Sequence, residues 1–455
     1  MKRSTVILLV LVLAAAAVIF FWERKQPGTE ERARRKQLLL PDLPEDDAVT
    51  RLTRSGADPL TLVRIGEDWR LEEPVRDEAD RYAVEAFLEK LREAKTIRPV
   101  EPPVPWEDLG LDRPEITWTI QWEGGSTTIA PGIEAPLGAG VYVKVDDAAH
   151  LLGSGFRGTL LRPGADFRSK DLVPVGNDRV RSITVFKGRD PYLTAERMGD
   201  AWRIRHPYED LADPSAIERF LDAWCLASIT GFVDDAPEDL SAYGLDAPQA
   251  AVSFSLEGGD SLSVTLGKAA SPPREGREVP SLYALISGRP SVITVDGETL
   301  ESLDPPPVTY RSSQVFRHAS YDVERLVVSG AAELSLVRDD VGAWNLAVPS
   351  QAPEGADPAA AAHALLSLRG SVSESEPPPD ALEAPDWVLR ASGEGFEEEA
   401  RLLTPADGPY LARPDGRSVF LVLDGEAWRT ARAAVTALLQ PGSEVTETTG
   451  ETKAP

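Results

Sequence analysis

Apart from its many acids, the chain has few side chains that could carry chemistry. It has four histidines, His150, His206, His318 and His363, with no HxH, HExxH or His-x-Asp grouping among them. Metal ions such as zinc need ligands that converge from a few recognisable spacings, so the sequence predicts no metal site. The single cysteine, Cys225, excludes an intramolecular disulfide and any multi-cysteine zinc or iron–sulfur centre. It stands beside Trp224 with no basic neighbour to favour a thiolate, which reads as a packing thiol and not as a nucleophile. Gly153-Ser154-Gly155 is a short turn without the flanks of a nucleophile elbow. Gly138-Ala139-Gly140 is not followed by the Gly-Lys-Ser/Thr of a phosphate loop, so the chain is not itself an ATPase. Asp234-Asp235-Ala236-Pro237-Glu238-Asp239 is acidic, but its spacing is wrong for a calcium loop. The reading is therefore no enzyme, no cofactor and no resident metal.

The residues that do recur belong to a scaffold. An apolar strand, a short turn, a tryptophan and a proline five residues later occur as Trp69 and Pro74, as Trp202 and Pro207, and as Trp344 and Pro349. Each set reads as a β-hairpin. Alternation puts the tryptophan on one face with Leu71, Ile204 or Leu346. An amphipathic helix follows each hairpin, with Asp80, Asp213 and Asp357 as N-caps. Its apolar positions are Val84, Phe87, Leu88 and Leu91 in the first copy and Ile217, Phe220, Leu221 and Trp224 in the second. In the third they shrink to Ala361, Ala364, Leu365 and Leu368. Spacings of three and four residues place each set on one helical face.

A turn then opens a strand. Gly110-Leu111-Asp112-Arg113-Pro114 matches Gly244-Leu245-Asp246-Ala247-Pro248, and Ala381-Leu382-Glu383-Ala384-Pro385 is a degraded third version. Gly110 and Gly244 read as positions needing a positive φ or a close approach. Copies one and two close with Phe167-Arg168-Ser169-Lys170 and Tyr310-Arg311-Ser312-Ser313, whose arginines read as partners of carboxylates at domain joints or of another protein. The third copy ends instead in a helix-like Glu426–Leu439. The tryptophans are 133 and 142 residues apart, too far for a solenoid repeat. The fold class is α+β: three tandem repeats of a small antiparallel sheet with a packed helix. One N-terminal transmembrane helix precedes them.

The charge separates body from anchor. The chain of 455 residues carries a net −26. Residues 1–36 hold eight basic and three acidic residues, a net +5, which leaves −31 on the rest. Such a body excludes nucleic acid as a partner, since a binder must replace counterions with basic side chains. Between the basic clusters, Val6–Trp22 has no polar side chain; Val6, Leu13 and an aromatic edge of Phe20, Phe21 and Trp22 mark it as a span of the lipid bilayer. A cleaved signal peptide would show a small-residue site before polar sequence, whereas here Ala14–Ala17 lead back into apolar residues. The five-residue head before the apolar run places the N-terminus in the cytoplasm and the body in the periplasm or otherwise outside, although the downstream Lys/Arg count argues the reverse. The organisation expected is a signal anchor at 1–22, a charged stalk at 23–46, repeats at 47–175, 176–318 and 319–440, and a disordered tail at 441–455.

The ordered set of hairpin, Asp-capped helix, Tyr243-Gly244-Leu245-Asp246-Ala247-Pro248, strand, Leu266-Gly267 and closing arginine resembles the family called domain of unknown function 4340. The resemblance runs in tandem from about Asp47 to Leu439, strongest in the first two copies. It implies a membrane-anchored extracytoplasmic accessory or scaffold protein, acting by protein–protein contacts with the membrane and auxiliary subunits of an ABC transporter of the gliding-motility type. It supplies no catalytic residue. The alternative is an extracytoplasmic glycan- or solute-binding module that uses clefts between the repeats.

Overall fold

The tryptophan–proline hairpins each sit at the same place in a sheet. The structure, a computed structural model, describes residues 37–199, 201–270, 280–349, 353–373, 384–405, 409–417 and 419–439. The anchor residues Val6, Leu13, Phe20, Phe21 and Trp22, and the tail at 441–455, lie outside the described residues. Among those described, no helix is long and apolar enough to cross a membrane.

The first copy comprises β1 (Val49–Gly56), β2 (Leu60–Ile65), β3 (Asp68–Glu73), β4 (Asp77–Glu78), helix α1 (Arg81–Glu93), β5 (Arg98–Pro99), β6 (Ile116–Trp122), β7 (Gly125–Glu134), β8 (Val141–Val145) and β9 (Ala148–Leu152). Its sheet has the order β4-β3-β2-β1-β6-β7-β8-β9-β5. The second copy comprises β10 (Val180–Lys187), β11 (Asp190–Met198), β12 (Ala201–His206), β13 (Asp210–Leu211), α2 (Pro214–Cys225), β14 (Ile229–Asp234), β15 (Ala250–Leu256), β16 (Ser261–Ala269), β17 (Leu282–Ile286) and β18 (Val292–Val295). It repeats the order as β13-β12-β11-β10-β15-β16-β17-β18-β14. The third comprises β19 (Arg325–Gly330), β20 (Leu334–Arg338), β21 (Trp344–Val348), α3 (Pro358–Leu366), β22 (Gly370–Val372), β23 (Trp387–Gly393), β24 (Phe396–Leu403), β25 (Leu411–Pro414), β26 (Leu421–Leu423) and α4 (Gly425–Leu439). Its order among the described residues is β21-β20-β19-β23-β24-β25-β26-β22. All the ladders between these strands that have a resolved register are antiparallel.

The repeat extends to local detail. The bonds before Pro74, Pro207 and Pro349 are all cis. Each hairpin slips register by one residue at the same point, as Thr61 faces Glu73 while Leu62 faces Leu71, with matching slips at Thr194/Ala195 and Ser335/Leu336. A bulge there bends the strand as it leaves the hairpin. The carboxylates of Asp80, Asp213 and Asp357 cap their helices, accepting from Ala83 N, from Ser215 N, and from Ala359 N and Ala360 N. Gly110 and Gly244 both hold a left-handed backbone, with φ of 65° and 69°. Pro114 and Pro248 each lie two residues ahead of the strand they introduce, β6 and β15. Removal of one cap, Asp357→Ala, is expected to cost about 1 kcal/mol of helix stability. Faster hydrogen exchange at Ala359 and Ala360 alone would register it.

The chain divides into two compact units. One comprises the described residues up to Asp171 with Ile229–Glu238 and Gly288–Ile293; the other comprises Leu172–Ser228, Asp239–Ser287 and the described residues from Thr294 on. In the first unit α1 lays Val84, Phe87, Leu88 and Leu91 against Leu52, Leu62, Trp69, Leu71, Trp118 and Ile120 of the sheet, all buried. Residues 37–46, assigned by sequence to the stalk, belong in part to this core. Leu39, Leu40 and Leu43 are buried in it, and Leu39 N donates to Ala94 O at the end of α1. Three leucines in that short stretch have more to gain from the core than from water.

The third copy differs from the other two around its hairpin and helix. Trp69 and Trp202 are buried, but Trp344 and Leu346 are only half-buried. Alanines at 361 and 364 are too small to fill the space over a hairpin, and α4 supplies the missing bulk. Its Trp428, Ala431, Val435 and Leu438 are buried in the same core as Ala361, Leu365 and Leu368. Trp428 meets Trp387 edge to face, 5.4 Å between ring centres.

Candidate functional site

The most heavily buried charges lie just beyond the hairpins. In the first unit β4 pairs with β3 and presents Asp77, three residues ahead of the N-cap Asp80. The closing segment of the first copy is pinned opposite it, since Asp80 N donates to Phe167 O, Ser169 N donates to Glu78 O, and Ala79 bridges Arg168. Arg168 therefore meets Asp77, donating from Nε at 3.0 Å and from Nη2 at 2.7 Å to Oδ2. A second arginine comes from the second copy. Arg289, in the turn between β17 and β18, donates to Asp77 Oδ1 from Nε and to Oδ2 from Nη2, both at 2.8 Å. It also donates to Ser169 O. Asp235 and Ser291 complete the group, accepting from Arg168 Nη1 at 2.7 Å and Nη2 at 2.6 Å. The ring of Phe232 lies under the Arg168 guanidinium at 3.7 Å. Two arginines thus meet two aspartates, and the Asp77 side chain is 1% exposed.

The second unit holds the same clasp. Ala212 bridges Arg311, and Asp213 N donates to Tyr310 O. Arg311 Nε donates to Asp210 Oδ2 at 2.6 Å. Arg417, in the turn between β25 and β26, donates from Nε to Oδ1 at 2.7 Å and from Nη2 to Oδ2 at 2.9 Å. Its Nη2 also reaches Ser312 O and its Nη1 reaches Gln314 O, as Arg289 reaches Ser169 O and Asp171 O. Asp210 and Arg417 have fully buried side chains. Burial by itself would raise the Asp210 pKa; the hydrogen bonds and charges of Arg417 and Arg311 outweigh it and hold the carboxyl below its ordinary value.

These clusters can do little chemistry of the catalytic kind. Arginine does not give up its proton at accessible pH, and carboxylates saturated with arginine donors offer no base or nucleophile. What the geometry does is fasten the closing segment of one copy and the Gly-Arg turn of the next to a single aspartate. Arg168 and Arg311 were legible as joint residues. Asp77, Asp210, Arg289 and Arg417 were missed, although two signals exist. Each aspartate lies eight residues after its tryptophan, and Gly288-Arg289 recurs as Gly416-Arg417. Ala352 stands at that distance from Trp344, so the third copy has no such acid, and the matching turn of the first copy is Asp146-Asp147, without an arginine.

The titratable groups considered from sequence remain apart. Among the described residues no cluster of His, Cys, Asp or Glu could hold a metal. His318 stacks on Phe396 at 3.7 Å, and its Nδ1 pairs with Glu398, which also accepts from Arg317 N and Nε. Cys225 is half-buried on α2, and burial, with Asp222 adding to it, pushes its thiol up to about 11. At pH 8 the thiolate is then roughly one part in a thousand. Iodoacetamide is expected to label the folded chain far more slowly than the denatured chain; equal rates would contradict this environment.

Three depressions lie within the second unit, one of them an open groove of about 440 Å³ over Glu399, Arg413 and Arg417. A cavity of about 210 Å³ is lined by Trp202, Ala212, Gln314, Arg317, Glu398 and Gly416 among others. A wider open basin of about 950 Å³ lies over His318, Tyr321, Arg338, Asp339 and Phe396.

Comparison with known proteins adds one relationship. A family model described as a domain of unknown function (DUF4340) matches residues 69–200 and again residues 202–385. No curated protein and no solved structure matches the chain.

Proposed function

The chain belongs to the family described as a domain of unknown function (DUF4340), and on that premise we propose that it is a membrane-anchored, extracytoplasmic scaffold or accessory subunit of an ABC-type transport or gliding-motility-related complex. The observation that carries this reading is the pair of buried clasps. Within each unit they commit buried arginines and a buried aspartate to fastening together segments of successive copies, which suits a protein that works by presenting surfaces. The apolar stretch Val6–Trp22 supports the anchor, and the basic residues on both sides of it support retention at an anionic bilayer. A body carrying −31 is kept off that bilayer and available to partners. A solute-binding role between repeats has less support, because the cavity beside Trp202 holds about 210 Å³, below the roughly 300–1,000 Å³ of small-molecule sites, and the larger depressions are wide open to solvent.

Affinity capture of the tagged full chain from detergent-solubilised membranes tests the reading. ABC permease and ATPase subunits are expected to co-purify, and a chain that runs alone overturns it. Protease added to intact spheroplasts is expected to digest the body; digestion only after lysis would reverse the orientation.

A further inference from the structure

The two clasps differ in one respect that points to a ligand. In the first, every outer nitrogen of Arg168 is occupied: Nη1 by Asp235, and Nη2 by Asp77 and Ser291, whose hydroxyl also donates to Asp235 at 2.5 Å. In the second, Arg311 makes one bond to Asp210 through Nε, and its Nη2 is buried without a partner among the described residues. The side chain is 8% exposed. Tyr208, whose ring stacks on the Arg311 guanidinium at 4.2 Å, has a buried hydroxyl that is also unpartnered. The charges differ too. Two arginines face two aspartates in the first clasp, whereas among the described residues Arg311 and Arg417 face Asp210 alone. A buried guanidinium with an open donor, sharing its one counter-charge with a second arginine, is costly to maintain.

The first clasp shows what satisfies such a donor, because the groups on Arg168 beyond Asp77 are a carboxylate and the hydroxyl that bridges to it. We propose that the second clasp binds a carboxylate supplied from outside the chain, with Arg311 Nη2 as the charged donor and the Tyr208 hydroxyl as a second donor of the same cluster. A free small carboxylate and an acidic side chain of a partner protein share this chemistry. The inference does not depend on the scaffold reading.

Acetate is the probe. Saturation-transfer NMR on the full chain in detergent micelles is expected to show saturable acetate binding. Arg311→Lys keeps a charge for Asp210 but loses the planar second donor, and should weaken binding about tenfold or more, the scale of one charge-assisted hydrogen bond. Tyr208→Phe keeps the stacked ring and should weaken it several-fold, which preserves the test should Arg311→Lys fail to fold. Competition by a Glu-rich peptide stronger than that by acetate would assign the site to a partner's side chain, and weaker competition to a free carboxylate. Three results overturn the proposal: no saturable signal in the natural chain, equal signals in all variants, or binding that appears only in Glu376→Gln. The last would mean that the chain supplies its own acid, since Glu376 follows Gly370 by six residues as Asp235 follows Ile229, and both Gly370 N and Ile229 N donate to the preceding closing segment.

Discussion

Asp210→Asn is expected to cost about 3–5 kcal/mol, because it leaves two buried guanidinium groups facing a neutral amide of the same shape. Among the described residues Asp210 is the only carboxylate that Arg311 and Arg417 share, and its side chain is fully buried. The matching change Asp77→Asn is expected to cost less, since Asp235 still faces Arg168 at 2.7 Å. Hydrogen exchange of β12 and α2 reads the first substitution, and that of β3 and α1 the second. Equal losses would mean that the charge difference between the clasps does not matter. The same carboxyl predicts an acid limit. Its folded pKa lies below the ordinary 3.8, so its contribution is complete above that value and is lost as the pH falls below it toward the folded pKa. Protection of β12 is therefore expected to hold to about pH 4 and to fail below it, and in Asp210→Asn this acid step is expected to be absent.

The second large effect is expected from Trp118→Ala. The indole is fully buried. It packs 4.7 Å from Phe87 and 5.7 Å from Phe167 between ring centres, and its Nε1 donates to Leu160 O at 2.9 Å. The substitution removes those contacts, leaves a cavity that helix and sheet cannot both close, and strands a buried carbonyl. A loss of about 3–5 kcal/mol follows, which is a drop of roughly 10 °C in the melting temperature of a unit of this size. Trp344→Ala, at a half-buried tryptophan, is expected to cost a fraction of that. A scanning-calorimetry trace in which the two changes are equal would contradict the assignment of Trp118 to the core and Trp344 to its edge.

The local part of this fold was open to reading from sequence. Asp80, Asp213 and Asp357 cap helices because the signals that start a helix lie within three or four residues of one another. The faces Val84–Leu91 and Ile217–Trp224 are periodic for the same reason. The Trp–Pro spacing survives three times because it encodes a hairpin with one bulge, and that geometry is set by adjacent residues. The clasps were not open in this way. Asp77 and Arg289 are 212 residues apart, and among 74 acids nothing in composition selects Asp77. The eight-residue step from tryptophan to aspartate is a repeat signal, but Gly-Arg also occurs at Gly188-Arg189 and Gly276-Arg277, so the dipeptide alone could not have joined them. The third helix was legible but the group packed on it was not, since its alanines leave a volume that Trp428, about sixty residues on, fills.

The central claim is that a residue of the second copy is energetically fastened to the hairpin of the first. A double-mutant cycle on Asp77→Asn and Arg289→Met in the full chain tests it most directly, read as the unfolding free energy of β3 and α1 from hydrogen exchange. The account predicts that the double variant is more stable than the sum of the single losses implies, by about 2 kcal/mol, within the range seen for groups in one buried network. Additivity to within about 0.5 kcal/mol, the behaviour of independent sites, would contradict it.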